Sequence, residues 1–111
     1  MLALIFAAAV IGMPPNTTPI PANTVFHYCK IQNADKKKSF YSSVFETDDD
    51  YDPKQDYAAF LRQTQPTAGG GASTCYTDGS ALILTDKWRD DQFSDQISHY
   101  AVVLTNWAPP N

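Results

Sequence analysis

Few side chains in this 111-residue chain have the chemistry of a reactive or ligating group. They are Cys29 and Cys75, His27 and His99, one glutamate (Glu46), and a run of aspartates at Asp48, Asp49, Asp50 and Asp52. Asp48, Asp50 and Asp52 have the D-x-D-x-D spacing that opens a calcium loop, but Pro53 stands where that loop needs glycine and Ala59 where it needs a bidentate glutamate. The two histidines have no short-range ligand partner, so a zinc site would need the fold to bring them and an acid together. A Cys29–His99 nucleophilic pair would require a free, activated thiol. No serine sits in a G-x-S-x-G turn, and nothing pairs Glu46 with a particular aspartate as a glycosidase requires. Gly69, Gly70 and Gly71 are not followed by the lysine and helix of a phosphate loop, so they read as a hinge or plain slack. No catalytic set, metal site or cofactor site is therefore expected.

The cysteines have a simpler use. An even, low count behind an export signal suggests one bridge formed in an oxidising compartment. The export signal is the apolar run Leu2 to Gly12, far shorter than the ~20 residues of a membrane span. No Lys or Arg precedes it, and cleavage sites fit after Ala9, Gly12 or Ala22. A Cys29–Cys75 bridge would close a loop of ~46 residues, worth about 4 kcal/mol in the chain-entropy account. Residues 1–22 are thus assigned to signal peptide and linker, and residues 23–111 to one domain. The formal net charge of −4 argues against nucleic acid and gives no polybasic patch for anionic lipid.

The elements that must position these groups can be read from periodicity. In Thr24–Gln32, Val25, His27, Cys29 and Ile31 alternate onto one strand face and Phe26, Tyr28, Lys30 and Gln32 onto the other. Asn33 to Lys38 is a turn, and Ser39–Thr47 a second strand completing a hairpin. Asp52-Pro53-Lys54-Gln55 starts a helix, with Asp52 as cap, Pro53 in the first turn and Gln55 completing a capping box. Tyr57, Phe60, Leu61 and Thr64 form its buried stripe, and Gln65-Pro66 ends it. Ser73–Thr77 is a short strand. A second helix spans Ala81 to Gln96, with Ala81, Leu84, Trp88 and Gln92 near one face. Leu82, Ile83 and Phe93 lie off that face, as an apolar strip suited to a partner or as part of a wide buried face. His99–Trp107 is the last strand, stopped by Pro109 and Pro110. The order β-β-α-β-α-β suggests an α+β domain, a single four-stranded sheet with both helices on one face.

Several of these segments form a pattern: Tyr28-Cys29, Tyr41-Ser42-Ser43-Val44-Phe45, Phe60-Leu61, Cys75-Tyr76, Arg89-Asp90 and Val102-Val103-x-Thr105-x-Trp107. Over Phe26 to Trp107 it resembles a group of small uncharacterised exported domains of proteobacterial proteins. The resemblance implies the element order and the cysteine pairing, and supplies no catalytic residues. The DDDYD and GGG stretches lie outside its pattern.

The expected function is non-enzymatic binding of a protein or envelope component, in the periplasm or outside the cell. Candidate partner-binding residues are Asp48, Asp49, Asp50, Asp52, Leu82, Ile83 and Phe93. In an inhibitor or immunity-type version, the acidic Asp48–Asp52 loop enters a basic cleft. The rivals are a small exported hydrolase using His27 or His99, and a structural module of an envelope assembly.

Overall fold

A computed structural model describes residues 24–68 and 71–110. The Leu2–Gly12 run, the proposed cleavage sites, and Gly69 and Gly70 lie outside the described residues. The element order is β1 (Thr24–Asn33), β2 (Lys38–Tyr41), β3 (Phe45–Asp48), α1 (Lys54–Thr64), a 3-10 turn (Pro66–Ala68), β4 (Thr74–Asp78), α2 (Ala81–Ile97) and β5 (Ala101–Leu104). No helix among the described residues is long and apolar enough to cross a membrane.

The fold is α+β with a five-stranded mixed sheet, one strand more than the periodicity suggests. The additional strand arises because the expected Ser39–Thr47 strand is split. β2 pairs with β1 from Lys30↔Tyr41 to Asn33↔Lys38, and β3 pairs from Thr24↔Asp48 to His27↔Phe45. Three residues, Ser42, Ser43 and Val44, therefore oppose two, Tyr28 and Cys29, and the extra residue bulges the ladder. Ser42 mends the break: its N–H donates to the Cys29 carbonyl at 2.9 Å, and its Oγ accepts from the Cys29 N–H at 2.8 Å. β4 runs antiparallel along the other edge of β1, and β5 runs parallel to β2.

The two helices lie on opposite faces of this sheet, which corrects the expectation that they share one. The alternation along β1 sends Cys29 and Ile31 to one side, where they pack with Phe40, Phe45, Tyr57, Leu61 and Ala68 under α1. Tyr28 goes to the other side, with Tyr41 and Leu84 under α2 and with Phe26, Val44, Tyr76 and Trp88 at the margin. Both faces of β1 carry large side chains, so a single layer of helices would leave one of them in water.

Cys29 and Cys75 form the expected disulfide, and they are direct cross-strand partners on β1 and β4. Their Cα atoms are 4.0 Å apart, below the usual 4.4–6.8 Å range. Direct antiparallel partners already approach to about 4.5 Å at the narrow pairs of a ladder.

Local chemistry explains the helix ends. α1 starts one residue later than anticipated: Pro53, with helical dihedrals (φ −80, ψ −4), is itself the N-cap and has no side-chain cap bond, while Asp52 Oδ1 accepts from the Lys54 N–H at 3.1 Å just outside the helix. Gln55 makes no bond back to Asp52 among the described residues. α2 is capped by Ser80, whose Oγ accepts from the Ile83 N–H at 3.2 Å, while Asp78 Oδ1 accepts from the Ser80 N–H at 2.8 Å.

The last strand is shorter than the His99–Trp107 segment that reads as β. His99 has φ 68 and lies in the turn before it. Asn106, at φ 57, turns the chain back after it, so Trp107 packs on Phe45, Tyr57 and Phe60 beneath α1.

Candidate partner-binding face of the second helix

α2 has two faces of unlike character. At 100° per residue, Leu84, Trp88, Asp91 and Asp95 lie together on one side and face the sheet. Asp95 is buried, and its carboxylate is fully engaged. It accepts from the Tyr41 hydroxyl at 2.5 Å, from Lys30 Nζ at 3.2 Å and from Gln32 Nε2 at 3.0 Å. The Tyr28 hydroxyl donates to Asp91, which also receives Lys30 Nζ at 3.4 Å. Trp88 Nε1 donates to the Ser42 carbonyl at 2.9 Å, tying α2 to the bulge.

This network fixes the titration of its members. Burial alone would raise the Asp95 pKa, but hydrogen bonds from Tyr41 and Ser39 and the Lys30 charge outweigh it and hold the carboxyl below its ordinary value. Burial, together with the bonded carboxylates Asp91 and Asp95, pushes the Tyr28 and Tyr41 phenols well above theirs. Both tyrosines therefore stay neutral donors at any physiological pH.

The opposite side of α2 carries Leu82, Ile83, Phe93 and Ile97, which are 71, 60, 64 and 63 % exposed. They occupy an arc of about 100°, in a stripe about 22 Å long from Leu82 to Ile97. Leu82 and Ile83 lie at one end of the stripe and Phe93 and Ile97 at the other, about 15 Å apart along the axis. Single exposed apolar residues are ordinary, whereas several on one helix face are a feature of interaction surfaces. Asp86 and Asp90 sit within the same arc. Beside them Ile83, Asp86, Lys87, Asp90 and Asp91 line a shallow hollow of about 410 Å³. Ile97 lies one residue beyond the helix that the periodicity predicts. It lies at i+4 from Phe93, and continuing that spacing by one step would have found it.

The other candidates fare differently. Asp48, Asp49, Asp50 and Asp52 are exposed at the end of β3 and the approach to α1. Asp52 Oδ1 accepts from the Lys54 N–H beside the start of α1, and no group of three His, Cys, Asp or Glu among the described residues is arranged to hold a metal ion. Glu46 and Asp48 line a groove of about 390 Å³ with Thr24, Thr47, Tyr51, Pro109 and Pro110.

His27 is buried, and both ring nitrogens are taken: Nδ1 by Thr77 Oγ1 at 2.9 Å and Nε2 by Thr47 Oγ1 at 2.7 Å. Burial lowers its pKa against the opposing charge of Asp52, which favours a neutral ring bridging β3, β1 and β4. His99 is exposed beside the start of β5, where Ala101 N–H donates to the Lys37 carbonyl. That is the far end of the sheet from His27, about 20 Å along β1 at 3.3 Å per residue. The histidines share no pocket, and Cys29, sealed in the disulfide, offers no thiol to either.

No protein-family model, curated protein or solved structure gives a significant match to this chain.

Proposed function

We propose that this chain is a non-enzymatic binding domain that docks a protein partner on the outer face of α2. One observation carries this: four large apolar side chains, each at least 60 % exposed, share one face of a helix whose opposite face is already packed. Burying a Leu, Ile or Phe side chain is worth about 1.5–3 kcal/mol. The fold gains only a minor part of that from these four, so most of the gain is available to a partner. The disulfide and the Leu2–Gly12 run support an exported location for this binding.

Site-specific photo-crosslinking tests the proposal in cells that make the protein. A benzophenone side chain at position 93 should give a discrete adduct, and one at Arg62 on α1 should not. The captured protein, once purified, should bind the wild-type chain and lose binding to Phe93→Asp. Equal crosslinking from both positions, or binding indifferent to Phe93→Asp, would remove the docking role from α2.

A further inference from the structure

From the charges set into this stripe we infer the chemistry of its partner: an amphipathic helical segment whose apolar residues are flanked by arginine or lysine. The inference rests on the docking role of α2 and adds the partner's character to it.

Asp86 and Asp90 are one helical turn apart and lie inside the apolar arc rather than at its margin. Asp86 has only a loose pair with Arg89 at 3.8 Å, with both side chains about two-thirds exposed, an arrangement of little energetic consequence. Asp90 has no partner among the described residues. The hollow beside them has three acids and one base, and the base is turned away: Lys87 Nζ lies 4.4 Å from the Tyr76 ring centroid. An apolar partner covering this face would bury Asp86 and Asp90 unpaired, at a cost exceeding the gain from one covered side chain. A partner that places a guanidinium or ammonium beside each carboxylate removes that cost.

The same two carboxylates disfavour the other occupants of an apolar helix face. A helix that lies on an anionic membrane carries Lys and Arg on its polar face, not acids among its apolar residues. A second copy is also poorly matched. Paired antiparallel about the middle of the stripe, two α2 helices set Asp86 of each against Phe93 of the other, which buries a carboxylate without a cation beside it. Paired parallel, they set Asp86 against Asp86. Like charges so placed oppose association.

The test is selection of a displayed library of random 16-residue peptides on the immobilised, oxidised full chain. Enriched peptides should show apolar residues at i, i+3, i+4 and i+7 with interleaved Arg or Lys. They should bind roughly tenfold or more weakly to Phe93→Asp, and likewise to Asp86→Lys/Asp90→Lys. All altered positions are exposed, and an unchanged melting temperature confirms that each variant folds. Peptides sensitive to Phe93→Asp but lacking basic residues, and indifferent to the charge reversal, would overturn the partner chemistry and leave the docking role standing. Absence of any peptide sensitive to Phe93→Asp would overturn both. Two further results would assign the face to another occupant and overturn the inference. One is self-association in sedimentation equilibrium that Phe93→Asp abolishes. The other is binding to phosphatidylglycerol vesicles that depends on Phe93.

Discussion

The two helices pack against the same sheet and use their residues in opposite ways. α1 buries Tyr57 and Leu61 against the disulfide, Ile31, Phe40 and Phe45, and exposes its polar residues. α2 buries Asp95 alongside Leu84 and exposes Leu82, Ile83, Phe93 and Ile97. α1 is what folding alone would select. On α2 the inner face is held by charge and hydrogen bonds as much as by apolar burial, and the outer face leaves most of its apolar surface in water. An amphipathic helix normally answers to one solvent boundary. α2 answers to the sheet on one side and, in the function proposed for it, to a partner on the other.

The difference can be broken most forcefully at Asp95. Asp95→Ala leaves the Tyr41 hydroxyl without its acceptor, removes one of the two acceptors of the Gln32 amide, and weakens the pairing of Lys30. Unfolding in urea should show a loss of about 3–5 kcal/mol, the range for stripping one partner from a buried pair. The pH profile should carry the same signature. Asp95 is held below its ordinary pKa of 3.8, so its contribution is complete above that value and disappears as pH falls through the lower folded value. Wild-type stability should therefore drop below about pH 4, and Asp95→Ala should lose much of that drop. An unchanged acid limb in the variant would show that the network does not hold α2.

On the α1 side the matching truncation is Leu61→Ala, in an apolar setting. It should cost about 3 kcal/mol, within the range for buried leucine, and its effect should be flat across pH 4 to 9. A pH-dependent loss there would erase the contrast between the two faces.

The smallest effect sharpens the comparison most. Phe93→Asp and Ile97→Asp should each shift stability by no more than about 0.5 kcal/mol, as exposed substitutions do, measured by the same urea titrations. On α1 an Asp in place of Leu61 would unfold the domain. A large destabilisation by Phe93→Asp would mean that the outer face of α2 has a folding role after all.

Short-range patterns specify the local elements and point to the bridge. Alternation in Thr24–Gln32, a helix following Asp52-Pro53 and the burial of Tyr57 and Leu61 are short-range signals, each set by residues within a few positions, and they reappear in the fold, with the cap at Pro53 rather than Asp52 and with Thr64 of the expected stripe exposed. The disulfide was legible from the cysteine count and the apolar Leu2–Gly12 run. Even the unusual face of α2 could be seen in part, because Leu82, Ile83 and Phe93 fall off the stripe defined by Leu84 and Trp88.

Tertiary structure decided the rest. Alternation in β1 states that it has two faces, and cannot state that both are covered, so the placement of the helices on opposite sides had no local signal. The split at Ser42–Val44 depends on the two registers that β1 offers its neighbours. The burial of Asp91 and Asp95 depends on Lys30, Gln32, Tyr28 and Tyr41, which arrive from strands more than 50 residues away in the chain. His27 likewise became a neutral strut only when Thr47 and Thr77 closed on its two nitrogens. The common physical reason is that burial of a polar group depends on partners that only the folded chain supplies.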